Sequence, residues 1–384
     1  MRGQPSPEAS ATEPEAGTGE TAILTIDLNA LTANYRRLRD LAAPAECAAV
    51  VKADAYGLGV AEVAPALWRT GCRSFFVATP AEAKALRGLL PKAAIYVFAG
   101  LLPGTADAFR EMNLRPVLNS ADEIKEWAAL CLRHDRKLPC AVHIDSGMNR
   151  LGLSADEVAR VSDASELWAS LTLSLVLSHL ACADDPDHAK NAQQRQAFNA
   201  LRACLPAAPA SLANSAGILL GRNFIYDLAR PGIALYGGHP RRRGDNPFQP
   251  VAHLEGRILQ IRNVSPGQTI GYGAARSFDR PARVAIVAAG YADGFFRSLS
   301  TKDGEEGLPV YVGPHAAPVI GRVSMDLISV DVTDVPETAA RRGEWIELLG
   351  PNVTAQAFAA HAGTIDYEVL TRLGRRASRR YIGG

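Results

Sequence analysis

Between Glu46 and Tyr236 the chain alternates short apolar runs, rich in β-branched residues, with longer stretches whose apolar positions recur at helical spacing. An apolar run bounded by turn residues reads as a strand buried on both faces, and a helix between two such runs is the crossover that parallel strands require. The strand candidates are Cys47 to Lys52, Arg73 to Thr79, Ala94 to Phe98, Arg115 to Leu118, Pro139 to Ile144, Leu171 to His179, Pro209 to Ala213 and Phe224 to Leu228. Eight strand–helix units in about 200 residues predict an α/β fold built on a (β/α)8 TIM-type barrel rather than an open sheet. Such barrels carry their chemistry where the strands end, so the residues closing each apolar run are the first to examine.

At Gly237 the texture changes. The segment GGHPRRRGDNPFQP combines glycine, proline and a charge run, as linkers do. Beyond it LEGRILQIRNV, RVAIVAAG, LPVYV and LISVDV are separated by Gly, Pro and Asp turns, with little helical periodicity before Thr354. This predicts a barrel over residues 21–238 and a C-terminal mainly-β domain over 239–384. AILTIDL (Ala22 to Leu28) also reads as a strand, able to pair with the β domain before a helix from Asn29 leads into the barrel. Residues 1–20, rich in Pro, Glu, Ala, Ser and Thr, read as a disordered tail without the apolar run of a signal peptide or membrane span.

Composition narrows the function class. With 41 Lys and Arg against 40 Asp and Glu the net charge is +1, which gives no broad field for nucleic acid or anionic lipid and leaves small-molecule chemistry as the default. The six cysteines, Cys47, Cys72, Cys131, Cys140, Cys182 and Cys204, form no CxxC pair or zinc spacing. Reduced thiols, a cytoplasmic setting and no metal are therefore expected.

Several segments carry candidate chemistry. VVKADAYGLG (Val50 to Gly59) ends a strand in Lys52 and turns through glycines into a helix; a lysine among apolar neighbours loses its proton cheaply and can become a Schiff-base nucleophile. HIDSGMNRLG (His143 to Gly152) presents Arg150, a directional fork suited to a carboxylate. LSHLACADD places His179 at the end of the sixth strand, and DLARPGIALYG places Arg230 after the eighth. ANSAG (Ala213 to Gly217) opens a helix, so Ser215 and nearby amides offer an anion site, or simply an N-cap. In the β half, IGYGAARSF carries Tyr272, GYADGFFR carries Tyr291, and GRVSMDLISVDV carries Met325 and Asp326.

In chain order, from about Ala22 to Tyr381, these segments resemble those of the alanine racemase family, and VKADAYGLG closely resembles its cofactor-lysine motif. The resemblance implies a fold-type III pyridoxal 5'-phosphate enzyme acting as a head-to-tail homodimer with shared sites. It implies interconversion of L- and D-alanine, with D-alanine destined for peptidoglycan. Lys52 would hold the cofactor, and the phosphate would meet Tyr56, Asn214, Ser215, the Gly232 and Ile233 amides and the Tyr367 hydroxyl. Arg230 would face the pyridine nitrogen, with His179 between it and Tyr272. An arginine there leaves the ring a weaker electron sink, which favours return of a proton to Cα over transamination. Tyr272, reaching from the other subunit, would be the base opposite Lys52. Arg150 would bind the substrate carboxylate or the cofactor phenolic oxygen, and the Met325 backbone would help bind the carboxylate, with Tyr291 and Asp326 supporting.

One position departs from the family pattern. Many alanine racemases have a carbamylated lysine where His143 stands, seven residues before Arg150. A histidine cannot supply that negative charge, so either a neutral imidazole alone orients Arg150 or a small anion such as chloride fills the gap. Two rivals are weaker. The motifs of a decarboxylase of the same two-domain plan are not seen, and a non-catalytic pyridoxal-phosphate carrier would resemble the barrel alone.

Overall fold

The computed structural model describes residues 19–384, and residues 1–18 of the expected tail lie outside them. Glu20 is already tied down, its carbonyl accepting from Arg257 Nε at 3.0 Å.

The chain opens with strand β1 (Ala22–Asp27) and then a helix, Leu28–Ala42, capped by the Asp27 carboxylate. The barrel strands follow: β2 (Glu46–Cys47), β3 (Ala49–Val50), β4 (Ser74–Val77), β5 (Ala94–Val97), β6 (Arg115–Leu118), β7 (Pro139–His143), β8 (Thr172–Leu177), β9 (Ala210–Ser211) and β10 (Leu228–Ala229). Strands β3 to β9 pair in parallel in sequence order. β2 and β3 form one interrupted first strand, and β10 lies parallel to β2. Ala48 N donates to Ala229 O and Val50 N to Pro231 O, both at 2.9 Å, while Arg230 N donates to Ala213 O, so the eighth strand bridges the first and seventh and closes the barrel. Phe75, Phe76 and Val77 of β4 are wholly buried, as a sheet covered on both faces requires.

The eighth strand is displaced from its expected position. Arg222–Phe224 forms a short 3-10 turn, Tyr226 takes a left-handed backbone (φ 58°), and the strand begins only at Leu228. The Asp227 carboxylate is drawn onto Ala210 N at 2.7 Å, which fixes the bend and moves pairing to the following residues.

The second half is strand-rich: β11 (Ala252–Val264), β12 (Thr269–Ile270), β13 (Arg276–Ser277), β14 (Ala282–Val287), β15 (Pro309–Val312), β16 (His315–Ile320), β17 (Ile328–Asp331), β18 (Trp345–Leu349) and β19 (Ser378–Ile382). The 13-residue β11 pairs with β1 and β18 along its first half and with β14 along its second, with register shifts at Leu254/Glu255 against β18 and at Ile258/Gln260 against β14. It thereby curls the sheet β14-β17-β16-β15-β18-β11 onto itself, leaving β1 and β19 as an extension. β1 is thus first in sequence yet belongs to the β domain.

The two domains meet closely. Asn34 Nδ2 donates to Gln249 O (2.8 Å) and its Oδ1 accepts from Gln249 N (2.8 Å), and Tyr381 Oη donates to Leu58 O (3.0 Å). A Cβ on Gly57 would lie 2.5 Å from Leu370 O, so the helix Asp366–Thr371 rests directly on the turn that follows Lys52. Among the described residues no helix is long and apolar enough to cross a membrane.

Candidate active site

Lys52 stands just beyond β3, and the backbone after it turns the unusual way. Ala53, Asp54, Ala55 and Tyr56 all have φ between 53° and 56°, one full left-handed turn. That conformation costs about 1 to 2 kcal/mol per non-glycine residue, so it persists only where partners hold it. Here Glu82 Oε1 accepts from Ala53 N at 2.8 Å while its Oε2 accepts from Ala78 N and Thr79 N, and Asp54 Oδ1 accepts from Val60 N. The turn drives Tyr56 inward, where it is buried and stacked on Tyr236 at 4.7 Å.

The nine residues expected around a cofactor, from Lys52 to Tyr367, line one cavity at the C-terminal ends of the barrel strands. Tyr56 Oη occupies the space beside Gly232, where a Cβ would lie 2.2 Å from it. Ser215 Oγ accepts from Gly232 N (2.9 Å) and Ala234 N (3.3 Å). The expectation of Ser215 as an N-cap is corrected: Asn214 caps that helix, its Oδ1 accepting from Gly217 N at 2.8 Å, because Ser215 is already the first helical residue.

Arg230 is 2% exposed and bonds a serine hydroxyl and a carbonyl, Ser211 Oγ through Nη1 and Ser178 O at 2.6 Å through Nη2. Burial lowers its pKa to about 9. His179 is held down to about 3 by burial and by Arg230, Arg150, His143 and Lys52. Burial, then Arg150, lowers the Lys52 ammonium below its usual range, against the opposing pull of Glu82. Arg150 is exposed, yet its charge acts on Lys52, His143 and His179 together. Its loop is pinned by Asp145, whose Oδ1 accepts from Gly147, Met148 and Asn149 amides at 2.8–3.1 Å.

Tyr272, Tyr291, Met325 and Asp326 do not line that cavity. They lie on the surface of the β domain, Tyr272 at 72% exposure and Met325 at 52%. The group is nevertheless built as a unit. Gly290, just before Tyr291, packs where a Cβ would be 2.3 Å from Met325 O, and Gly273 lies against the Arg322 guanidinium. Arg376 bridges the buried Asp293 (Nε to Oδ1, 2.7 Å) to Asp326. Within one chain, therefore, His179 and Arg230 come together but Tyr272 does not join them.

Three supporting side chains escaped sequence reasoning: Glu82, Asn119 and Arg376. For Glu82 a signal existed, because TPAE is a capping box with proline at the first helical position, a pattern the structure forms in full. Nothing local marks Asn119 or Arg376, whose side chains reach Phe98 and His143, and Asp293 and Asp326, across tens of residues.

A half-buried lysine and a buried arginine at the C-terminal mouth of a (β/α)8 barrel, joined to a curled β domain, define a two-domain barrel protein with a partly desolvated amine in its cavity. Residues 26–240 match the family description "Alanine racemase, N-terminal domain" and residues 251–381 match "Alanine racemase, C-terminal domain". An alanine racemase of Methylobacterium sp. (strain 4-46) is 49% identical over 361 residues, 94% of this chain and 98% of the relative. One from Rhizobium meliloti (strain 1021) is 46% identical over 94% of this chain and 97% of its own length. Among solved structures, alanine racemase from Bartonella henselae with covalently bound pyridoxal phosphate superposes with a TM-score of 0.89 at 40% identity, covering 94% of this chain and 99% of that one. The biosynthetic enzyme of Pseudomonas aeruginosa gives 0.87 at 34% identity, over 95% of this chain and 100% of that one. The chain belongs to the alanine racemase family, and its match to both domains separates it from a carrier that resembles the barrel alone.

Proposed function

We propose that the protein is a pyridoxal 5'-phosphate-dependent racemase that interconverts L- and D-alanine with two bases, Lys52 and the Tyr272 of a second subunit. The observation that carries this reading is Lys52 itself, a strand-end lysine whose charge is disfavoured by burial and Arg150, in a cavity that also holds Tyr56, Ser215 and Arg230.

The donor set fits the cofactor. Lys52 Nζ is the amine for a covalent link, the Tyr56 hydroxyl and the Gly232–Ser215 corner suit a phosphate, and the buried Arg230 offers a guanidinium not paired with a carboxylate to a ring nitrogen. When bound, pyridoxal phosphate would draw electron density from the Cα–H bond of the amino acid joined to it. The protein must then hold the substrate and move protons. Arg150 would bind the carboxylate through a charge-assisted fork, aided by the Met325 backbone of the second subunit, with Tyr291 and Asp326 framing it. A lowered ammonium pKa leaves more Lys52 as free amine at neutral pH, ready to accept a proton from one face. Tyr272 would serve the opposite face. Its exposure, shared by Tyr291 and Met325, suits a group that finds its site on another copy of the chain. D-alanine for peptidoglycan is the product this reading supplies.

The test is replacement of Lys52 by alanine. The variant should retain its fold by circular dichroism, lose the visible absorbance of lysine-bound cofactor, and racemise L-alanine at least about 10³-fold more slowly. Wild-type rates with L-alanine and L-serine, measured side by side, set the substrate range. A Lys52→Ala protein of undiminished activity would refute the assignment.

A further inference from the structure

We infer that His143 positions Arg150 by presenting an unprotonated Nε2 as a hydrogen-bond acceptor, and that Asn119 selects this tautomer. The inference rests on the reading of Arg150 as the carboxylate site and decides what stands in for an anion there. His143 Nδ1 lies 2.8 Å from Asn119 Oδ1. The amide of Asn119 cannot be turned round, because its Nδ2 donates to Val117 O at 2.8 Å and Phe98 O at 3.1 Å, two carbonyls that accept only. Asn119 therefore shows the imidazole an acceptor, and Nδ1 must carry the hydrogen. In a neutral ring that leaves Nε2 bare.

The opposite edge of the ring faces the Arg150 loop. A Cβ on Gly152 would lie 3.1 Å from His143 Cδ2, the carbon next to Nε2, and Leu153 N donates to His143 O at 2.8 Å as the loop returns. Gly152 has φ +106°, so glycine lets the chain pass over the imidazole at this spacing. The charged groups acting on the ring are Arg230 and Arg150, with Asp145 opposing them. Together with burial they hold His143 to a pKa of about 4, so the ring is neutral at working pH and a guanidinium is its natural donor. No bound anion is required.

Three measurements on the holoenzyme test this. In protein carrying 15N-labelled histidine, with His143 assigned by comparison with His143→Gln, the pH 7 resonances should show Nδ1 protonated and Nε2 bare. The KM for L-alanine should be the same in chloride and in gluconate. His143→Leu should raise that KM at least about tenfold with a smaller change in kcat, and His143→Gln, which keeps an acceptor, should recover part of the loss. A protonated Nε2, or a KM that depends on chloride, would overturn the inference. If instead Arg150→Gln left KM unchanged, the carboxylate-site reading would fall while the tautomer result stood.

Discussion

Lys52 and Arg230 line one cavity and the charge of Arg150 reaches it from outside, and the two histidines among these three cations answer by staying neutral. His179 and His143, with pKa values near 3 and 4 against 6.5 for free histidine, bind fewer protons in the folded state than in the unfolded state at pH 4 to 6. Stability must therefore fall as pH drops below about 6.5 and level off only below the folded values. Replacing His179 with asparagine should flatten that limb. The fall in melting temperature between pH 7 and pH 5 should be smaller in the variant, a difference worth about 1 to 2 kcal/mol. An unchanged slope would show that His179 titrates normally. Gly232 offers a second test at this scale, since the Tyr56 hydroxyl already fills the space a Cβ would need. Gly232→Ala would push a methyl into the Tyr56 hydroxyl and should weaken cofactor retention at least about tenfold, read by titrating the apoprotein with pyridoxal phosphate and following the absorbance.

At the scale of elements, the left-handed turn from Ala53 to Tyr56 is the device that joins Lys52 to the buried Tyr56. Its strain must be offset by neighbours, and Glu82 binds it to the second βα turn through three backbone amides. Glu82→Ala should cost about 1 to 3 kcal/mol in urea unfolding and lower kcat more than a substitution of equal thermodynamic cost far from the turn. Equal effects on kcat would reduce Glu82 to an ordinary helix cap. The capping box of Thr79 and Glu82 is written in the sequence but went unread, and the handedness is not written there at all. Nothing in Ala-Asp-Ala-Tyr favours left-handed backbone; the conformation is imposed by a glutamate 29 residues away from the amide it holds. The displaced eighth strand has the same cause, a side-chain bond from Asp227 to Ala210 that outweighs the local apolar pattern.

For the whole molecule, the decisive question is how the exposed Tyr272 group meets the cavity around Lys52. If each site takes Lys52 from one subunit and Tyr272 from the other, two inactive variants, Lys52→Ala and Tyr272→Phe, should complement after subunit exchange. A mixed dimer has one site with both lesions and one with neither, and half of a random mixture is mixed dimer. About a quarter of wild-type activity should return. Absence of recovery, with exchange demonstrated by tagged subunits, would place both residues in one subunit's site and leave the racemase chemistry intact.

Much of this protein was written locally. The alternation of apolar runs specified a barrel and then a β domain because strand and helix periodicities depend only on which residues repeat at which spacing. The motifs around Lys52, His179, Ser215 and Arg230 meet in one cavity because strand ends of a barrel converge whatever lies between them. Tertiary structure decided what depends on contacts across tens or hundreds of residues. It joined β1 to a sheet formed by residues beyond Ala252, fixed the Lys52 turn through Glu82, and set Asn119 against His143. The pairing of β1 was an open possibility in the sequence; the other two could not be read in advance, because each is a hydrogen bond whose partner is selected by the folded chain and not by its neighbours in sequence.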